Sequence, residues 1–516
     1  MDYRIKGAST WRVGLPLWYD QRNSEYRGSI VQLNAGATYE IRLTLENGIS
    51  ELLQASTWSD SFPIAKSVEL PESSHQTLQI TESGVSSGYI LYAPAPHKTA
   101  TIDVGKSQDF NVIVTAKYII IRGLALKGAR DSAILLGASA LANSSDVSNI
   151  VIENNDISEW GTNDPACVGK PIVHGIDLQA AVYSYSDRVQ RITIQRNKLR
   201  DPSTGANSWE EPNCSGTGGK HPLGPQAISI RNSLGNLVIR YNEIYSTNGH
   251  YFNDAMGEPN NFSDKGFPNR DSDIYGNLIR NSWDDGIESE GADKNVRIWG
   301  NYIDQVMIPF GLAPVYRGPL YIWENLSYVS RTGPTKNYGQ DFIKSRSYHN
   351  SGATNYGGGR VYIFNNTSLI PRNGSSTSHF LREFDKANRL SNYRTLNNIM
   401  NVNNPKRDYS IKDTFGVDNI FDFDLLEGLT AFSDIPLQQE VHGVRGSPSF
   451  VSDWGLDETT KVGKFSLAPS SAGYDQGTVI PNFMDNFIGS APDMGAHESH
   501  TPPLEFGVNA YRKASP

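Results

Sequence analysis

Cysteine is nearly absent, with Cys167 and Cys214 the only two in 516 residues. That excludes a thiolate metal cluster and a fold stapled by many disulfides. No run of about 20 apolar residues occurs, so no segment reads as a membrane span and membrane insertion is not expected. An excess of basic charge is missing too, since 46 Lys and Arg are outnumbered by 55 Asp and Glu for a net charge of −9. A duplex binder needs a basic face, so nucleic acid is not an expected partner. His174, His221, His250 and His349 lack zinc-ligand spacing and read as loop or groove residues. Phosphate loops, dinucleotide fingerprints and a Ser/His/Asp order are missing, as are amphipathic helices of useful length.

What is there instead is a repeat. Isoleucine, two variable residues and asparagine recur at Ile152/Asn155, Ile194/Asn197, Ile239/Asn242, Ile274/Asn277, Ile298/Asn301, Ile322/Asn325 and Ile363/Asn366, with a weaker echo at Thr395/Asn398. The shortest spacing, Asn277 to Asn301, is 24 residues, and the longer ones carry insertions. Each unit reads as a short alternating strand broken by an asparagine that tolerates a left-handed turn. Without helices between units, strands stack on their counterparts about 4.8 Å apart, isoleucines form an inner column, and asparagines satisfy turn amides. The expected fold is all-β, a right-handed parallel β-helix over about residues 75 to 425, with a small N-terminal β-sandwich-like domain.

Three regions follow: 1–62, a coil domain 63–430, and a cap and tail 431–516. In the first, Leu33, Gly36 and Tyr39 sit as in the Leu-x-x-Gly-x-x-Tyr turn of a fibronectin type III module, which the segment resembles. That likeness implies a β domain packed on the end of the coil. The tail, Ser447-Pro448 and then Ala491-Pro492-Asp493-Met494-Gly495-Ala496-His497-Glu498, is similar to the closing segment of bacterial β-helix polysaccharide lyases and hydrolases. Met1-Asp2-Tyr3-Arg4 lacks the apolar core of a signal peptide, so the chain reads as having lost its leader. Cys167 and Cys214 lie in insertions of consecutive coils, either as a disulfide or as two loop thiols. A disulfide would favour a secreted or periplasmic setting.

Function has to be argued from one face of the coil. Beyond Asn277 a second strand reads Gly286-Ile287-Glu288-Ser289-Glu290-Gly291. Alternation puts Ile287 and Ser289 inside and Glu288 and Glu290 outside, about 7 Å apart. The same pattern places Asp177, Gln179, Ser229, Arg231, Lys344, Arg346 and Arg382 on that outer stripe. Asp284, Asp285, Glu288, Glu290 and Asp293 crowd five carboxylates within ten residues, which calls for a cation or a shared proton. One coil earlier Phe252-Asn253-Asp254-Ala255-Met256 echoes Trp283-Asp284-Asp285-Gly286-Ile287, so Asp254 should stack near Asp285.

Two chemistries fit this cluster. In the first, Glu288 and Glu290, helped by Asn253 or Asp254, hold a Ca²⁺ that neutralises a uronate carboxylate, and a base takes the α-proton so that the chain breaks by β-elimination. The outward Glu-x-Glu, with an amide one coil before and a lysine after, resembles the calcium site of family 6 polysaccharide lyases, which act on alginate and dermatan-type chains. That resemblance implies Glu288, Glu290 and Asn253 as metal ligands, Lys294 as base and Arg317 as acid. Lys344 and Arg346 are the other candidate bases. In the second, Asp284-Asp285-Gly286-Ile287 resembles the paired-aspartate strand of polygalacturonase-type glycoside hydrolases. It implies Asp254 and Asp285 as an acid and water-activating pair beside Asp284, with His250 as a spare acid or base. The Gly-His-Gly strand of those enzymes is replaced by Pro309-Phe310-Gly311-Leu312-Ala313-Pro314.

Tyr275, Trp299, Trp323 and Phe364 all fall two residues before a turn asparagine and should form an outward ladder away from the acids. It either stacks to stabilise the wall or serves as a sugar platform or partner contact. Gly-, Pro-, Asn- and Ser-rich insertions at 158–173, 200–225, 250–270 and 328–341 would wall a substrate groove. Asp177, Arg231, Tyr251, Trp283, Tyr316, Tyr348 and Arg382 are the candidate substrate-binding residues, with Trp160 and Phe252 near them. The reading is a monomeric enzyme that cleaves an acidic polysaccharide, as a lyase or a hydrolase. A silent adhesin and a uronate epimerase are the other classes.

Overall fold

A computed structural model describes the chain except residues 46, 139–145, 216–218, 329–330, 332, 334, 336–340, 347, 350–354, 371–376, 433–437 and 513–516. The repeat folds as three parallel faces. Twelve strands from Ile64–Leu70 to Ile420–Asp422 make the first sheet, and thirteen from Ser73–Ser74 to Val444–Arg445 make the second. The third face is broken. Five strands from Leu78–Ile80 to Gln226–Arg231 and six from Asp285–Glu288 to Leu429–Phe432 are joined through bridges of Met256 to Ile228 and to Ile287. Successive crossovers wind in the right-handed sense. No helix among the described residues is long and apolar enough to cross a membrane.

The coil extends past both ends of the expected span, because its first and last rungs lack the Ile-x-x-Asn phrase that marks the others. Within it the seven isoleucines are register partners on the first sheet, from Ile152 with Ile194 through Ile322 with Ile363. Every one is fully buried.

The asparagines bond neighbouring coils as a ladder, as expected, but they are not themselves the left-handed turn residues. Positive φ falls on the residue just before each of them: Asn154, Arg196, Tyr241, Gly276, Gly300, Glu324, Asn365 and Asn397. The ladder asparagine itself is spared because its amide has a more specific task. Asn277 donates its backbone N–H and its side-chain N–H to Asn301 Oδ1, both at 3.0 Å, and a further N–H to the Ile239 carbonyl at 3.0 Å. The chain of bonds runs from Asn155 to Asn398 and ends on Asp424, which accepts from Asn398 at 2.7 Å. Buried amides are thereby paired at every coil.

The N-terminal segment lies on the flank of the coil, not on its end. Strands Asp2–Ile5, Arg12–Val13, Thr38–Thr44 and Ser50–Ser56 form one antiparallel sheet, and Trp18–Asp20 with Glu25–Arg27 form a hairpin. The Leu33–Tyr39 turn is closed by the Asn34 N–H donating to the Tyr39 hydroxyl at 2.8 Å. Leu15 and Val31 are buried against Tyr321, Trp323 and Phe483, so the outer aromatic face of the first sheet supplies the apolar partner that fixes the location. Arg27 donates to the Gly318 and Arg317 carbonyls at 2.8 and 2.7 Å.

The C-terminal segment also runs along a flank. Asn365 donates to the Asp493 carbonyl, Gly507 N–H to the Gly276 carbonyl, and Arg512 to Asn154. Truncating a middle column residue, Ile298→Ala, should lower the unfolding free energy by about 2–4 kcal/mol through lost burial and an unfilled cavity. Asn301→Ala should cost about as much by orphaning buried amides on both neighbouring coils. Denaturant unfolding of both variants checks this, and an unchanged midpoint for Asn301→Ala would refute the ladder's role.

Candidate active site

The third face breaks where the 250–270 insertion leaves the coil, and the acids gather at that break. Glu288, Gly311 and Lys344 are register partners on three successive coils. Because Gly311 carries no side chain, its neighbours fold over it: a Cβ there would lie 2.2 Å from Asp285 Oδ2 and 3.1 Å from Glu290 Oε1. Lys344 reaches into the space, its Nζ 2.5 Å from Asp285, 3.3 Å from Glu290 and 3.9 Å from Glu288. Asp254 lies one coil below, accepting the Asp285 N–H at 2.9 Å and a Gln226 amide N–H at 3.2 Å. Asp284 faces His221 Nε2 at 3.4 Å.

Burial and mutual repulsion set the protonation of this group. Burial, then the nearby Asp285, push Asp254 up to about 8. Burial raises Glu290 to about 7 although Lys344 opposes it. Asp284 and Glu288 are pushed well above the carboxylate range, again chiefly by burial. For Lys344 burial acts downward, but Asp285, Glu290, Asp284 and Glu288 together hold the ammonium well above its usual range. The crowding is thus relieved by one built-in cation and by retained protons.

A hard cation also fits. Asp254, Asp284 and Asp285 offer oxygens within 4.8 Å of one another, as do Asp285, Glu288 and Glu290. Asp285 Oδ1 and Asn253 Oδ1 are buried without a hydrogen-bond partner, and an all-oxygen set of this kind suits Ca²⁺.

Other expected residues fall elsewhere. Lys294 Nζ is 2.6 Å from Glu25 of the N-terminal hairpin, and Arg317 donates to Asn23, so both serve the docking of that hairpin. Tyr316 lies there as well, under Arg22 and Arg317. Asp293 turns inward to Ser289 at 2.8 Å and leaves the outer cluster, because the strand ends at Glu288 and Glu290 pairs instead with Phe267. His250 turns from Asp254 to the Pro202 carbonyl at 2.6 Å. Trp283 is buried and, with Tyr251, packs around Arg331. Arg346 is exposed, and the Tyr348 side chain lies outside the described residues.

Asp177 does belong, accepting from Asn253 at 3.1 Å. Arg231 stands upstream over the Tyr185 ring, 4.0 Å from Glu258, and Arg382 downstream is bound to Asp341 at 2.8 Å.

Two of the insertions reach the acids, and the other two are tied to the second of the four. Cys167 and Cys214 form a disulfide that ties the first two together. His221 comes from the second, and Asn261 from the third donates to Glu288 at 3.2 Å. Thr335 of the fourth donates to Glu210 of the second at 3.1 Å. Sequence reasoning gave His221 no role at the acids and overlooked Gln226, Glu258, Asn261 and the vacancy at Gly311. The paired coils Asp254/Asp285 carried the only signal for Gln226, one register step below.

No protein-family model and no curated protein matches this chain. Among solved structures it is similar to the pectate lyase Pel9A, at 13% identity over 84% of this chain and 86% of that one, with a TM-score of 0.42. The family 6 alginate lyase AlyGC gives 11% identity over 79% of this chain and a TM-score of 0.47, and the match spans 53% of that longer protein. A Yersinia enterocolitica family 28 exopolygalacturonase gives 10% identity, 81% and 85% coverage, and a TM-score of 0.29. None of these likenesses says which residues react here.

The raised carboxyls predict a pH dependence. Their folded pKa values exceed the unfolded ones, so folding binds protons, and stability is lost as pH rises from the ordinary carboxyl range to about 8 at Asp254. Asp254→Asn should flatten the fall in melting temperature between pH 5 and 8. Lys344→Met should steepen it, since the acids lose their counter-charge. Parallel slopes for wild type and both variants would refute the coupling.

Proposed function

We propose that this protein is a secreted or periplasmic enzyme that cleaves a uronate-containing polysaccharide by β-elimination, with Lys344 as the base. The observation that carries this reading is the packing of Asp254, Asp284, Asp285, Glu288 and Glu290 around the Lys344 ammonium. The Cys167–Cys214 disulfide supports an oxidising compartment.

Asp285, Glu288 and Glu290 would hold a Ca²⁺ ion, with Asn253 beside them. When bound, that ion would supply the charge that neutralises the uronate carboxylate and acidifies the proton on the adjacent ring carbon. Lys344 is kept charged by these same carboxylates, so its Nζ accepts a proton only when their charge is engaged elsewhere. It then takes the C5 proton, a C4=C5 double bond forms, and the bond from C4 to the glycosidic oxygen breaks. Asp254, still protonated near neutrality, gives its proton to the departing oxygen. Arg231 and Arg382, one on each side of the acids, would anchor neighbouring uronates.

One observation favours hydrolysis as a second reading: Asp254, Asp284 and Asp285 lie together with Asp254 raised to about 8, so an acid and a water-activating carboxylate are both at hand. Polygalacturonate, alginate, glycosaminoglycans and bacterial exopolysaccharides, followed by ultraviolet absorbance and by reducing ends, decide between them. Elimination gives new absorbance that chelation removes and Ca²⁺ restores. Lys344→Ala should slow it about 10²–10⁴-fold, while Lys294→Ala stays within a few-fold of wild type. New reducing ends without absorbance would overturn the lyase reading.

A further inference from the structure

A second cleft lies on the first sheet, away from the acids on the third. It has a volume of about 570 Å³ and runs between the outer aromatic ladder and the end of the N-terminal sheet. One wall is the ladder of Tyr275, Trp299 and Trp323, stacked at centroid distances of 4.3 and 5.4 Å, so that Trp299 is covered on both faces and offers its edge to the cleft. Trp58 lies at the opposite lip, 42% exposed and covered on one side by the Arg191 guanidinium at 5.2 Å. Stacking among the ladder rings stabilises the wall, but it does not account for Trp58, which stands outside that stack.

Two polar groups at the floor lack partners. Trp323 lines the cleft at 1% exposure, and its indole N–H has no hydrogen-bond partner. Next to it Glu324, held at φ +52°, has no side-chain hydrogen bond or ion pair among the described residues. Burial raises its carboxyl to about 7. Glu324 is half-buried, but a fully buried donor such as the Trp323 N–H is costly unless a ligand or water completes it.

The charge of the lining says what that ligand is. Arg297 is engaged by Asp273 through two bonds of 2.7 Å, and Arg240 by Gln195 and the Tyr275 hydroxyl at 2.7 Å each. Asp60, Asp271, Asp273 and Glu324 outnumber the two arginines of the lining, so its balance is acidic. A uronate would be repelled. An uncharged pyranose has what the cleft lacks, an apolar face to lie against Trp58 and the ladder edges and hydroxyls for the Trp323 N–H. We propose that this cleft is a binding site for a neutral sugar unit, held between Trp58 and the ring edges of Trp299 and Tyr275 and separate from the acidic cluster.

The test is binding of the full chain to uncharged β-1,4-linked hexamers of glucose and of mannose, with hexagalacturonate as the charged counterpart. Calorimetry and tryptophan fluorescence are the readouts. At least one neutral hexamer should bind and quench fluorescence, with affinity falling about tenfold in Trp299→Ala and in Trp58→Ala. Glu324→Gln should weaken it as well, and hexagalacturonate should not displace it. Trp58 is exposed at the lip, so Trp58→Ala keeps the test valid if Trp299→Ala unfolds. Absence of neutral binding, binding indifferent to both tryptophans, or displacement by hexagalacturonate would overturn the proposal. Cleavage is not read, so failure of the lyase reading leaves this result standing, and the converse holds.

Discussion

A hydrogen-bonded column of buried asparagines sets the geometry of everything else in this protein. From Asn197 onward each accepts two N–H groups from the asparagine one coil below and gives a side-chain N–H to the backbone of that lower coil, so these coils are locked in register. With register fixed at one corner, the isoleucine column falls on itself and the strand faces follow. Stray register would cost more than a weak pair, because it would leave buried amides unmatched inside the coil. The left-handed strain of the corner is carried by the preceding residue, which twice is glycine, at Gly276 and Gly300.

Such a rigid frame lets the third face depart from regularity. At the break around Met256 strand pairing shrinks to isolated bridges, and Asp254, Asp284, Asp285, Glu288 and Glu290 occupy the gap. A regular sheet would have alternated these side chains in and out. Instead Asp285 and Glu288, three residues apart, both meet the same ammonium. The empty position at Gly311 makes that possible, since the side chain that pairing would have placed there is missing. The second and third insertions lie against the acids, and burial holds their protons so far from the ordinary carboxylate range.

Both chain ends are spent on the flanks. The N-terminal sheet covers the upper part of the aromatic ladder, and the tail runs back beside the ladder corner as far as Asn154. This arrangement explains the loss of Lys294 and Arg317 from the reacting centre, because Glu25 and Asn23 of the hairpin engage them. It also creates the second cleft, which exists only between the two parts.

From the sequence alone the period, the buried isoleucines, the outward aromatic ladder and the stacking of Asp254 beneath Asp285 could be read. These are consequences of local repetition: residues at matching places in successive turns must become neighbours. The disulfide was one of two open readings, since spacing brings two loops to consecutive coils without saying that their thiols meet. Tertiary structure alone decided which cation serves the acids. Lys294 lies four residues from Glu290 along the chain and Lys344 fifty-four, yet register across Gly311 brings the distant lysine in, while the near one turns to Glu25 of the N-terminal hairpin. Sequence proximity counts bonds along the backbone. Electrostatics counts distance through space, and only the stacking of coils converts one into the other.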